Sequence, residues 1–167
     1  MFKKVLLLTL CLVCLLCGCG EQPAQNDTQN DTPSAALPVG GDFKFWLSDV
    51  TCKAGESCQV EIRLSQKSQV AASDLIIEFD ADKLSYESFQ GGGAFQSEAA
   101  EQETGKVKVT SITLNPPEEE TVVGTLTLKA KEGANGKTDL KLTSETCANI
   151  DLQDMVPVCF GGSVTIE

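Results

Sequence analysis

Between residues 43 and 167, apolar and polar side chains alternate with a period of two, and clusters of Gly, Pro, Asn and charged residues interrupt the alternation. In an extended chain successive side chains point to opposite faces, so this pattern predicts strands with one buried side. "QVEIRLS" places Val60, Ile62 and Leu64 together. "DLIIEFD" places Leu75, Ile77 and Phe79 together, with Ile76 as an extra apolar residue on the other face. "KVKVTSITL" alternates through Val107 and Val109, then changes phase to Ile112 and Leu114, which predicts a β-bulge. "VVGTLTLKA" aligns Val122, Gly124, Leu126, Leu128 and Ala130, and "TDLKLTS" and "GSVTIE" add Leu140, Leu142, Val164 and Ile166. The separators "KAGES", "QGGG", "NPPEEE", "EGANGK" and "CFGG" are turn chemistry, and no long stretch carries a helical stripe. Short strands at this spacing predict an all-β domain, an antiparallel β-sandwich of about nine strands.

The first residues follow a different pattern. "MFKK" is basic, "VLLLTLCLVCLLC" is apolar, and small residues follow. That is the layout of a secretory signal, and the apolar run is short for a spanning helix of about 20 residues. Its end, Leu16-Cys17-Gly18-Cys19, resembles the lipobox of bacterial lipoprotein signals. The resemblance implies that residues 1–18 are removed and that Cys19 becomes a diacylglyceryl-modified N-terminus. Several acyl chains, each methylene contributing about 0.8 kcal/mol when buried, make a stable anchor. The CxxC patterns "CLVC" and "CLLC" fall in the segment to be removed, so they predict no metal or redox site. A plain secretory signal cut elsewhere is the alternative. Residues 20–42, "GEQPAQNDTQNDTPSAALPVGGD", have no apolar periodicity and contain a tandem "QNDT". They predict a tether with its ends on the order of 25 Å apart, ahead of a domain at 43–167.

Composition narrows the chemistry. The 167 residues include no His, which removes the commonest general base, the commonest zinc ligand and every His-activated nucleophile. The formal charge of −11 repels phosphate backbones and excludes a nucleic-acid partner. Loss of Lys3 and Lys4 with the signal makes the remainder more acidic still.

Cys52, Cys58, Cys147 and Cys159 remain in the exported domain. Cys52 and Cys58 flank the turn "KAGES", while Cys147 ends one strand and Cys159 precedes the last. Both spacings suit neighbouring strands joined by a loop, predicting disulfides Cys52–Cys58 and Cys147–Cys159, each contributing about 2–3 kcal/mol. A zinc site of four thiolates is the alternative, but the close CxxC knuckles of such sites are absent.

From Phe43 to Glu167 the strand order resembles that of a cohesin, a jelly-roll sandwich of the carbohydrate-binding-module-like superfamily. "KAGESCQVEIRLS" is similar to the family's second strand. "DLIIEFDADKLSYESFQGG" is similar to its aromatic-Asp stretch, here Phe79-Asp80 with Leu84 and Phe89. "VVGTLTLKAK" and "ANIDLQDMVPVCFGGSVTIE" are similar to its later strands and closing loop. Asp80 suits the turn "DADK", since Asp braces its own backbone readily.

The resemblance implies binding of a dockerin, a small calcium-loaded helical module, on a flat sheet face of the third, fifth and sixth strands. Asp74 falls where many such domains carry a contacting Asp, whereas Ala72 replaces the companion Asn, a departure from that pattern. Ser73, Thr110, Ser111, Thr113, Thr125 and Thr127 are expected to complete an outward Ser/Thr-rich face, although β-propensity alone also selects Thr on exposed strands. No EF-hand ligand series is present, so the chain needs no cofactor or metal of its own and any calcium arrives in the partner.

Three other functions compete. Glycan binding calls for exposed planar aromatics, and only Trp46 and Tyr86 stand beside the phenylalanines. A two-carboxylate glycosidase could use Asp80 with Asp82, or Glu118–Glu120, but no spacing separates these from solvated turns. Envelope assembly or adhesion could use the same fold. The sequence as a whole predicts a non-catalytic, monomeric domain that binds a dockerin-bearing protein and is lipid-anchored at the bacterial cell surface.

Overall fold

The structure, a computed structural model, describes residues 39–167, with side chains from Phe43 onward. The signal segment, Cys19 and the tether as far as residue 38 lie outside the described residues. The strands in chain order are β1 (Val39–Leu47), β2 (Val50–Cys52), β3 (Ser57–Leu64), β4 (Val70–Glu78), β5 (Leu84–Gly91) and β6 (Gln96–Glu103). They continue with β7 (Lys106–Ile112), β8 (Thr121–Ala130), β9 (Gly136–Asn149), β10 (Met155–Phe160) and β11 (Gly162–Ile166). One sheet has the order β10-β1-β3-β8-β5, the other β2-β11-β9-β4-β7-β6.

The sandwich is all-β, as the periodicity predicts, and the inward positions fill its core. Phe45, Val60, Ile62, Leu64, Leu126 and Leu128 from one sheet meet Leu75, Ile77, Val107, Val109 and Val164 from the other, all fully buried. Burial of a side chain of this size stabilises by about 1.5–3 kcal/mol.

The details differ from the alternation in four places. There are eleven strands rather than about nine. One of the added strands, β6, reads "QSEAAEQE" and has no apolar alternation to reveal it. Two edges are parallel, β10 on β1 and β2 on β11, so the sandwich is not wholly antiparallel. Strand β1 begins before Phe43, with Val39 and Gly40 paired to Met155 and Val156, and its register shifts between Gly40 and Lys44.

The bulge is also elsewhere. β7 runs in unbroken register against β4 from Lys106 to Ile112, so Ser111 continues the inward phase and Ile112 points out. Of the register breaks, the one between Ile62 and Arg63 on β3, opposite Gly124 and Val122, turns Val123 rather than Val122 into the core. Gly124 is needed there because the Phe89 ring occupies the space of a side chain.

Candidate functional site

The outer face of the six-stranded sheet presents ordered cross-strand rows. Asp74 on β4 lies opposite Thr110 on β7 and Thr146 on β9, and Glu98 on β6 extends the row past Thr110. The next row toward the centre of β4 sets Ile76 between Lys108 and Thr143. Ile76 is therefore on the opposite face from Leu75 and Ile77, as expected, yet its neighbours cover it.

Asp74 is the hub of these rows. Thr110 Oγ1 donates to its Oδ1 at 2.7 Å, and Lys108 Nζ lies 3.1 Å from its Oδ2. The hydrogen bond from Thr110 first, then Lys108, holds the Asp74 carboxyl below its ordinary range against a partial desolvation cost. Lys108 also reaches Glu145 at 3.0 Å, and these two carboxylates raise the lysine, Glu145 foremost. Glu145 takes part because a register break between Asp74 and Leu75 leaves it without a facing residue on β4. Farther along, Lys141 and Glu78 form a pair at 3.1 Å.

At the end of the sheet where β4 begins, the face changes character. The row Ala148–Ala72–Ile112 is apolar, and Ile112 is 51% exposed. Two turns flank it. Thr113, whose N–H donates to the Ala71 carbonyl at 2.8 Å, leads to Leu114, which is 79% exposed. On the other side, Asn149 builds the turn to Gln153. Its buried side-chain Oδ1 accepts from the N–H groups of Asp151 and Gln153, and its Nδ2 donates to Gln153 Oε1. That turn holds Ile150 and Leu152 in solvent, Leu152 being 85% exposed with φ at 60°. A left-handed, nearly naked leucine carries both backbone strain and uncompensated apolar surface. The face thus joins a charge network to an apolar rim.

Of the residues predicted for one outward face, the structure brings together Ala72, Asp74 and Thr110, with Thr113 at the adjoining turn. Ser73 and Ser111 are not outward. They face each other inside the sandwich with their hydroxyl oxygens 2.7 Å apart, because the unbroken β4–β7 register gives both the core-facing phase. Thr125 and Thr127 lie on β8, in the opposite sheet, so they belong to a different face. Lys108, Glu145, Ile112, Leu114, Ile150 and Leu152 are additions. The signal for Ile112 and Leu114 was their break in phase, which reflects exposed apolar residues and not a bulge.

Asp80 is punctuation. Its Oδ1 accepts from the Asp82 N–H at 2.9 Å and its carbonyl from Lys83 and Leu84 in the turn before β5. Trp46 on β1 is partly exposed beside Phe160 on β10, while Tyr86 packs against the core. Among the described residues no three His, Cys, Asp or Glu side chains group to hold a metal.

The four cysteines stand as two neighbouring pairs of thiols. The hairpin placement is incorrect for both. Cys52 is on β2 and Cys58 on β3, Cys147 on β9 and Cys159 on β10, and in each pair the two strands belong to different sheets.

The family model for the cohesin domain matches residues 43–166. No curated protein sequence matches the chain. Among solved structures, a non-cellulosomal cohesin from the archaeon Archaeoglobus fulgidus is similar with a TM-score of 0.67 at 14% identity, over 76% of this chain and 92% of that one. The OlpA cohesin of a type I cohesin–dockerin complex from Clostridium thermocellum gives 0.68 at 17%, over 76% and 100%. The sixth cohesin of Acetivibrio cellulolyticus scaffoldin B, in complex with a Cel5 dockerin, gives 0.66 at 23%, again over 76% and 100%.

Proposed function

The chain belongs to the cohesin domain family, and from that premise we propose that it is a receptor module whose six-stranded sheet binds a dockerin-bearing protein on its outer face. Cohesin domains are non-catalytic protein-interaction modules, typically extracellular or on the cell surface. The observation that carries the reading is the juxtaposition on one flat face of the Asp74–Thr110–Lys108–Glu145 network with the rim of Ile112, Leu114, Ile150 and Leu152. Apolar anchors next to oriented charges suit a helical partner that buries a few side chains and sets its register by polar contacts. Calcium belongs to the partner. Ala72, in the apolar row, offers methyl contact where an amide side chain would offer hydrogen bonds, so the partner's matching position is apolar too.

Export completes the reading. Cys19 carries the lipid after removal of residues 1–18, and the tether that follows holds the domain at the cell surface, where confinement raises the effective concentration of a captured partner.

The test is capture from the organism's secreted and surface proteins on the immobilised chain, with and without EDTA. Retained dockerin-bearing proteins that EDTA releases, and that Asp74→Ala retains poorly, are the expected result. Retention indifferent to EDTA and to Asp74→Ala would overturn the reading.

One observation favours a second reading, glycan binding on the opposite sheet. Trp46 and Phe160 are register partners on that sheet's outer side, Phe160 is 52% exposed, and Lys44 Nζ lies 5.1 Å from the Trp46 ring centroid. Affinity electrophoresis in soluble polysaccharides separates the two readings, since retardation abolished by Trp46→Ala but not by Asp74→Ala would mark a sugar site.

A further inference from the structure

We propose that the four cysteines of the domain are oxidised in the exported protein to Cys52–Cys58 and Cys147–Cys159, and that each disulfide staples one sheet to the other through a parallel edge strand. The inference goes beyond partner binding and is independent of the partner's identity. It rests on the export reading for its oxidising compartment.

Geometry selects the pairs. Cys52 ends β2, the shortest strand of the fold, which is an edge paired in parallel with β11 alone. Its neighbour Cys58 lies on β3 in the other sheet, opposite Leu128. Cys159 lies on β10, the opposite edge, paired in parallel with β1 at Phe45. Its neighbour Cys147 lies on β9 across the sandwich, and both line one crevice between β9 and β10. The two edge strands with parallel partners are thus the two that a cysteine ties to the facing sheet. Parallel pairing is the less stable kind and edges are where sheets open, so the staples act where the sandwich is weakest.

Chemistry agrees with a structural role. Burial pushes the Cys147 thiol up to about 12 and raises Cys159. Burial first, then the adjacent Cys52 thiol, raises Cys58. Such thiols are poor nucleophiles once the domain has closed, so oxidation belongs to the folding phase. A disulfide-carrying oxidant of the thiol–disulfide exchange class supplies it. One cysteine thiolate attacks the carrier's disulfide and expels one carrier thiol. The second cysteine then displaces the other sulfur. Two S–H bonds are lost, one S–S bond forms, and the carrier leaves reduced as two thiols.

The Cys147–Cys159 staple also reaches the proposed docking face from beneath. Cys147 faces Ser73 across the β4–β9 ladder, and Ser73 holds Ser111 by the buried hydroxyl contact. Directly next to Ser73 and Ser111 in the same two strands stand Asp74 and Thr110 on the outer side.

The test uses the full chain recovered from bacterial membranes. It is denatured without reductant, alkylated with a first reagent, reduced, alkylated with a second and mapped by mass spectrometry. Expected are second-reagent labels on all four positions, and peptides linked 52 to 58 and 147 to 159 before reduction. First-reagent labels on these residues, or a crosswise linkage, would overturn the pairing. In a second arm the reduced chain is exposed to oxidised glutathione during refolding. Linkage in this arm but not in cell-derived protein would overturn the exported, oxidised state while leaving the geometry intact. Failure in both arms would overturn the geometry itself. The staple role predicts a midpoint lower by roughly 10 °C for each bridge removed, as Cys52→Ala/Cys58→Ala or Cys147→Ala/Cys159→Ala. It also predicts faster amide exchange in β2 or β10 respectively, and a midpoint and exchange unchanged by removal would refute it.

Discussion

Thr110 donates a 2.7 Å hydrogen bond to Asp74 from the facing position on the adjacent strand, outside the sheet, where Lys108 reaches the same carboxylate at 3.1 Å. Both partners favour the ionised form, Thr110 the more, and the native carboxyl titrates below its ordinary range. A carboxyl lowered on folding adds stability above its unfolded value of about 3.9 and loses it as pH falls through the native value. Thr110→Val is therefore expected to raise the Asp74 titration midpoint toward normal, followed by carboxyl NMR. The variant should be less stable at neutral pH, with the gap to wild type closing below about pH 4. An unmoved midpoint would assign the shift to Lys108 and Thr146 instead.

Asp74→Ala removes the centre of the charge network but little of the core, since the side chain is only partly buried. The stability cost is expected to stay within about 1 kcal/mol, because partly exposed ion pairs contribute little. Affinity for the dockerin-bearing partner should fall about tenfold or more, since loss of a carboxylate leaves the partner's donors unpaired. Calorimetric titration beside a thermal melt reads both, and a large loss of stability with unchanged affinity would assign Asp74 to the fold.

Ser73 and Ser111 form a buried polar pair in an apolar layer, their oxygens 2.7 Å apart. Ser73→Ala or Ser111→Ala alone strands the other hydroxyl, at a cost of about 1–3 kcal/mol. The double variant removes both and should cost less than the sum of the two single changes. Urea unfolding of the cycle measures this, and strict additivity would show that the hydroxyls do not depend on each other.

The all-β sandwich was legible in the sequence because half-buried strands must alternate, and Val60, Ile62, Leu64, Leu75, Ile77, Val107 and Val109 do so without exception. Alternation fails where a strand buries nothing characteristic. The polar β6 is defined by pairing with β7, a long-range fact that no local pattern encodes. The same limit governed the site. Asp74 and Thr110 came from the resemblance to the cohesin pattern, yet whether Ser111 or Ile112 faces inward depends on register, and a slip of one residue reverses every side chain. Ser is small enough to accept a core position if a second hydroxyl meets it, and Ser73 does. Thr125 and Thr127 alternate as outward residues should, but alternation does not say to which of two sheets a strand belongs. Likewise the cysteine spacings pointed to neighbouring thiols, while the placement of each two on strands of different sheets followed only from the strand order.

Leu152 separates stability from recognition most sharply. Its backbone is left-handed at φ 60°, a conformation that costs a non-glycine residue about 1–2 kcal/mol, and its side chain is 85% exposed. Neither property helps the isolated domain. The turn persists because Asn149 over-determines it, with three side-chain hydrogen bonds and a carbonyl that accepts from the Leu152 N–H at 3.1 Å. Glycine occupies this conformation without strain, although it loses more freedom on folding, so Leu152→Gly should leave stability unchanged or raise it by up to about 1 kcal/mol. If the rim is part of the docking face, the same change should weaken the dockerin-bearing partner by about tenfold, because a buried apolar anchor is lost. Leu152→Asn, which tolerates the left-handed region but is polar, should behave like glycine in binding. Denaturant unfolding and calorimetric titration on the two variants decide the matter. Affinity preserved in both would confine the interface to the charge network around Asp74.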